Sequence, residues 1–177
     1  FRDEEIIVAP SGSCVAMVRV FYEDLALCEK LRPGLEELKG KIFEFTEFLV
    51  DRAGMQEIGG SFPHRVTYHD SCHLNRELGI HRQPRQLIAS IGDIDFTEME
   101  NSDMCCGFGG TFSYKFPELS VSMAARKCRY IEETGAEYCI GADAGCLMNI
   151  EGYLRKHGMK AGTLHIAELL ARAMGLS

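Results

Sequence analysis

Cys139-Ile140-Gly141-Ala142-Asp143-Ala144-Gly145-Cys146-Leu147-Met148 reads as a short apolar run, a turn of small residues, and a cysteine that opens a helix. An apolar run closed by turn-forming residues is a buried strand. The apolar positions that follow, Cys146, Leu147, Ile150, Tyr153 and Leu154, keep helical spacing until Gly158. The unit is therefore strand, tight turn, helix. Working outward, the same order recurs. Arg65-Val66-Thr67-Tyr68-His69 is a strand running into the loop Asp70-Ser71-Cys72-His73, and Pro84 stands near the start of a helix through Leu87, Ile88 and Ile91. Asp95 to Glu100 is an expected strand, followed by the glycine-rich loop Met104-Cys105-Cys106-Gly107-Phe108-Gly109-Gly110 and a helix through Val121, Ala124, Ala125, Cys128 and Ile131. A last strand near Lys160–Leu164 leads into a helix over Ile166–Ala173, with His165 and Glu168 as its cap and first-turn acid. Strands alternating with helices predict an α/β fold: a mainly parallel sheet with helices on both faces.

Ile7-Val8-Ala9-Pro10-Ser11-Gly12-Ser13-Cys14-Val15-Ala16-Met17 echoes the opening stretch, and Phe45-Thr46-Glu47-Phe48-Leu49 echoes Ile166-Ala167-Glu168-Leu169-Leu170. The spacing predicts one helix from Cys14 to Cys28, broken at Pro33-Gly34, and a second through Leu35, Leu38, Ile42, Phe45 and Leu49, ended by Gly54. The chain thus reads as a pseudo-repeat. Residues 1–60 are the back half of a first unit and residues 61–177 a complete second unit, divided near Gly59-Gly60-Ser61.

Hydrophobic residues make up 46% of the 177 and charged residues 25%, the balance of a globular protein with a filled core. A net charge of −7 argues against a nucleic-acid partner, because neutralising phosphates takes clustered Lys and Arg. No apolar run is long enough for a membrane span, and no secretory leader is legible, so a cytoplasmic location is expected. The chain opens on Phe1 rather than Met, so a preceding segment is expected. Eight cysteines is a high count, and Cys105 and Cys106 are adjacent. With an apolar core and no leader, thiols suit metal or redox work better than a disulfide framework.

Cys72, Cys105, Cys106 and Cys146 all follow strand ends. In a parallel sheet those ends share one edge, so thiols far apart in sequence converge there. Helix N-termini point at that edge and stabilise thiolates or an anionic cluster. Gly107, Gly109 and Gly110 give the backbone close approach and N–H donors toward a bulky group. The four cysteines are the expected metal ligands, with the three glycines and Asp143 around the cofactor. Cys128 on a helix stripe and Cys139 inside a strand read as core residues, and Cys28 as a structural residue on a helix face. Cys14 reads as a ligand whose partners lie outside the sequence. His69 and His73 flank Cys72 either as donors to cluster sulfur or as ordinary loop and strand-end residues. The G-x-G-x-x-G spacing of a dinucleotide site is absent.

Cys72, thirty-odd residues, Cys105-Cys106-Gly107, thirty-odd more, then Asp143-Ala144-Gly145-Cys146 resembles the cysteine-rich CCG domain. That family includes the heterodisulfide reductase B subunit and the iron–sulfur subunits of glycolate oxidase and anaerobic glycerol-3-phosphate dehydrogenase. The stretches 69–73, 105–112 and 141–149 look most like its lactate-utilisation type. The resemblance covers about residues 65–174 as a full copy and residues 6–50 as the back half of another. It implies a [4Fe–4S] cluster on Cys72, Cys105, Cys106 and Cys146, and an electron-transfer subunit of a 2-hydroxy-acid oxidising system, with L-lactate the implied substrate. It also implies partner subunits of a lactate or glycolate oxidation complex. The fullest form of the motif has Cys where this chain has Asp143, which implies a four-thiolate centre rather than the five-cysteine heterodisulfide type. Two other readings stand beside it: a structural zinc module, zinc being a metal that protein handled in air can take up, and a thiol–disulfide reductase using Cys105-Cys106.

Overall fold

The computed structural model describes residue 1, residues 3–25 and residues 28–176. Two parallel sheets are present among them. The larger has four strands in the order β4-β3-β5-β6: β3 (Arg65–Tyr68), β4 (Asp95–Phe96), β5 (Tyr138–Gly141) and β6 (Gly162–His165). Its register pairs Val66 with Tyr138 and Tyr68 with Ile140, then Tyr138 with Gly162 and Gly141 with His165. The smaller sheet pairs β1 (Ile7–Ala9) with β2 (Ile42–Glu44), Ile7 against Ile42 and Ala9 against Glu44.

The helices are α1 (Gly12–Arg19), α2 (Arg32–Lys41), α3 (Phe45–Glu47), α4 (Arg82–Ala89), α5 (Thr111–Lys115), α6 (Pro117–Glu133), α7 (Ala144–Lys156) and α8 (Ile166–Ala173). Single residues alternate between two cores along β5. Ile140 joins Val66, Tyr68 and Leu164 on one face, against Leu87 and Ile88 of α4 and Leu169 and Leu170 of α8. Cys139 points the other way, into Cys128 and Ile131 of α6 and Ile150 and Leu154 of α7. A strand buried on both faces needs apolar residues at consecutive positions, as the run Cys139-Ile140 supplies. The α/β architecture with helices on both faces is therefore present. So are the core positions of Cys128 and Cys139, both fully buried.

Three elements differ from expectation. The first helix ends at Arg19 and gives way to a 3₁₀ turn over Phe21–Asp24; the expected helical residues 26 and 27 lie outside the described residues. Cys28 is exposed and precedes a second 3₁₀ turn, so it is not on a helix face. The expected helix from Leu35 to Leu49 is interrupted by β2: the chain extends at Ile42 (φ −95°, ψ 128°). Helical spacing of Leu38, Ile42 and Phe45 concealed a three-residue strand whose edge is completed by β1, a tertiary pairing that periodicity does not register. The strand after Asp95 is only two residues long; Met99 is buried and Asn101 turns the chain at φ 53°.

The N-terminal segment docks on the larger sheet's carboxyl edge through α1. A Cβ on Gly12 would lie 2.7 Å from Leu74 Cβ, so only glycine lets the start of α1 approach this closely. Arg19 ties α1 back to β2 and α3, donating to Ile42 O (3.0 and 2.6 Å) and pairing with Glu47 at 2.8 Å.

Candidate metal centre

At the carboxyl edge, the loop after β3 carries His69 to His73, the loop after β4 carries Cys105 and Cys106, and the turn after β5 leads into α7 with Cys146. The parallel register sets these three exits side by side. Cys72, Cys105, Cys106 and Cys146 line one cavity of about 300 Å³. Gly109, Gly110, Asp143, His73 and Phe108 line it too. Gly107 does not; its backbone, at φ +87°, runs against α6, where a Cβ would lie 2.7 Å from Ser120 O. Cys14, expected without partners in this sequence, lines the same cavity from the first turn of α1. Cys28, Cys128 and Cys139 lie outside it.

The thiols form a connected set. Gly107 N–H donates to Cys105 Sγ (3.4 Å) and Phe108 N–H to Cys106 Sγ (3.5 Å), so the glycine-rich loop offers donors to sulfur. Contact with the Cys106 and Cys72 thiols, together with the Gly107 N–H, holds Cys105 far below the ordinary thiol range. Cys146 is lowered to about 6, by the Cys106 thiol first, with His69 adding to it against the burial of the group. Cys72 and Cys106 are pushed up, chiefly because they serve as proton-bearing donors to Cys105. The edge thus favours thiolate at two of its four cysteines.

Asp143 occupies the N-cap position of α7 without capping it. Its carboxylate is turned toward the N-terminal segment. Oδ1 accepts from Ser11 Oγ (2.9 Å), Ser13 N (3.0 Å) and Ser13 Oγ (2.7 Å), while Oδ2 accepts from Ser71 Oγ. The side chain is 4% exposed. The N-terminus of α1 therefore has its anion supplied by the turn that opens α7.

Four further residues hold the loops in place, and the sequence reading singled out none of them for the site. Asp70, fully buried, takes a two-pronged bond from Arg85 (2.9 and 2.7 Å) and accepts from Ser102 Oγ at 2.8 Å. Burial opposes its charge, yet Arg85 and Ser102 hold its carboxyl below the usual range. Asp70 N–H also donates to Ser102 O, so the loop of Cys72 is stitched to the one approaching Cys105. Lys127 is fully buried on α6, and its Nζ donates to the carbonyls of Asn101 (2.8 Å) and Ser102 (3.0 Å). Asn149 of α7 donates to Cys106 O at 2.9 Å. The signal for Lys127 was present: it lies beside Cys128 and three residues after Ala124, on the buried side of α6.

His69 is 1% exposed, and its ring nitrogens have no hydrogen-bond partner among the described residues. One of its ring nitrogens and the sulfurs of Cys106 and Cys146 all lie within 4.8 Å of one another. His73 is partly buried, its Nδ1 3.8 Å from Cys72 Sγ and its ring edge-on to Phe21 at 5.8 Å. Soft thiolates with an imidazole suit iron–sulfur chemistry or zinc, and neither calcium nor magnesium. The eight cysteines are all free thiols. Among the described residues no helix is long and apolar enough to cross a membrane.

Comparison with known proteins places the cysteine loops within a known domain. Residues 66–151 match the family model of the cysteine-rich domain CCG. Proteins named lactate utilization protein A are similar along nearly the whole chain. That of Oceanobacillus iheyensis is 44% identical over 96% of this chain and 70% of its own length. The Exiguobacterium protein is 45% identical over 95% and 69%, and the Bacillus subtilis protein 41% over 96% and 71%. With identity at this level over nearly the whole chain, the chain belongs to the lactate utilization protein A family of CCG cysteine-rich proteins.

Proposed function

We propose that this chain is an iron–sulfur subunit that passes electrons during the oxidation of a 2-hydroxy acid, L-lactate, in concert with other subunits. The observation that carries the reading is the meeting of Cys72, Cys105, Cys106 and Cys146, delivered by three separate loops, on the wall of one cavity. Four thiolates are the donor set of a [4Fe–4S] cluster. Two cysteines already biased toward thiolate, N–H donors aimed at sulfur and a locked loop framework fit such a group. A cluster bound there would supply one-electron transfer. The chain's own residues hold the ligands: Arg85 and Asp70 fix the Cys72 loop, and Lys127 and Asn149 fix the approach to Cys105 and Cys106. The substrate class comes from the names of the relatives.

The pseudo-repeat belongs to the same proposal. Residues 1–60 and 61–177 each contain a strand, a turn, a helix opened near a cysteine, a parallel strand and a capped helix, with Ser11 and Asp143 at equivalent turns. The two turns bond each other, so Asp143 serves as the joint between units rather than as a ligand. In a bacterium deprived of its own copy, the wild-type gene should restore growth on lactate and a Cys105→Ser copy should not. Equal restoration by both would remove the electron-transfer reading.

A further inference from the structure

His69 differs from the buried charged groups around it at the carboxyl edge. Asp70, Asp143 and Lys127 each have their polar atoms occupied. The imidazole of His69 does not: it is 1% exposed, and neither nitrogen makes a hydrogen bond of bonding geometry among the described residues, the Cys106 and Cys146 sulfurs standing near it at up to 4.8 Å. Native cores seldom leave such groups unpaired unless an ion, a ligand or a water completes them. Its backbone is fixed at the end of β3, with its N–H donated to Ile140 O at 2.8 Å. One ring nitrogen lies with the sulfurs of Cys106 and Cys146 in a group whose members are all within 4.8 Å of each other. Neutral imidazole is a common ligand for zinc and iron. Asp143, the carboxylate at the cavity, is no competitor, since three serines occupy both its oxygens.

We propose that His69 is a direct nitrogen ligand of the metal held at this edge, so that the donor set is mixed, His69 with Cys106 and Cys146 on the inner wall. Cys72 and Cys105, both partly buried, line the same cavity. This rests on the metal-centre reading above and adds His69 as a fifth protein donor beside the four thiolates.

The test uses the wild-type chain labelled with ¹⁵N-histidine, prepared anaerobically in two forms: reconstituted with iron and sulfide, and loaded with Zn²⁺ alone. The iron form, reduced and examined by pulsed electron paramagnetic resonance, should show a strong nitrogen coupling that changes isotope pattern with the label. X-ray absorption of the zinc form should show imidazole scattering beside sulfur. Both signatures should vanish in His69→Gln and persist in His73→Gln. An iron centre that forms with no nitrogen coupling overturns the proposal while leaving the cluster reading standing. If iron and sulfide are refused, the cluster reading falls, and the zinc spectrum alone decides His69: imidazole supports it, a sulfur-only shell overturns it. Binding of neither metal overturns both. The labelled wild-type spectra need no variant, so a His69→Gln chain that fails to fold does not shield the claim.

Discussion

Asp143→Ala should loosen the joint between the N-terminal segment and the main sheet. The carboxylate takes four hydrogen bonds, from Ser11 Oγ, Ser13 N, Ser13 Oγ and Ser71 Oγ. A hydrogen bond to a charged acceptor contributes about 1.5–3 kcal/mol, and bonds sharing one acceptor do not sum. The Ser11 and Ser13 hydroxyls lie 3.1 Å apart and can bond each other once the carboxylate is gone, whereas the Ser13 N–H at the start of α1 loses its partner. The expected loss is about 3–4 kcal/mol, a fall in Tm of about 6–15 °C for a domain of this size. Asp143→Asn keeps a carbonyl acceptor and should cost about half as much. Urea denaturation followed by circular dichroism measures both. Iron content after anaerobic reconstitution should stay near wild type in the alanine variant, because the carboxylate is a joint and not a ligand. An alanine variant within about 1 kcal/mol of wild type would refute the joint, as one well-bonded buried charge is worth more than that. A variant of wild-type stability that takes up no iron would make Asp143 a ligand.

Three other outcomes follow from named contacts. Glu44 is fully buried with Oε1 unpartnered, and burial raises its carboxyl above 4.5. The folded state therefore keeps this proton to higher pH than the unfolded state, and stability falls as pH rises from 4.5 through the folded value. Glu44→Gln should remove that fall, so the stability difference between variant and wild type should grow from pH 5 to pH 8 in urea midpoints; parallel profiles would contradict it. Gly107→Ala should cost more than about 1 kcal/mol, since φ is +87° and the new Cβ would sit 2.7 Å from Ser120 O; an unchanged melting midpoint would contradict the geometry. Serine at Cys72, Cys105, Cys106 or Cys146 should abolish iron retention, while Cys128→Ala and Cys139→Ala, both in the core, should keep it at a cost of about 1 kcal/mol. Loss of iron in Cys128→Ala with retention in Cys146→Ser would reverse the assignment.

The sequence carried the alternation of strand and helix from Arg65 onward because each element there is punctuated locally, by Pro84, Gly135 or Gly158. It carried the meeting of the cysteines because a parallel sheet forces strand exits onto one edge. β2 was hidden because Leu38, Ile42 and Phe45 fall on a helical period and only the partner strand β1 reveals the extended run from Ile42 to Glu44. The roles of Asp70, Arg85, Lys127 and Asn149 were not legible, since each depends on a partner distant in the chain. The isolation of His69 was equally invisible: an unbonded ring nitrogen is a property of the packed core and has no sequence signature. Cys14 appeared alone because the docking of α1 through Ser13 and Asp143 cannot be read from spacing.

Anaerobic reconstitution of the chain, with iron and acid-labile sulfide counted per chain and the reduced sample examined by electron paramagnetic resonance, tests the central claim most directly. The account predicts a brown protein with about four iron and four sulfide per chain and a resonance that appears on reduction. A colourless protein that refuses iron and sulfide while binding one zinc would contradict it.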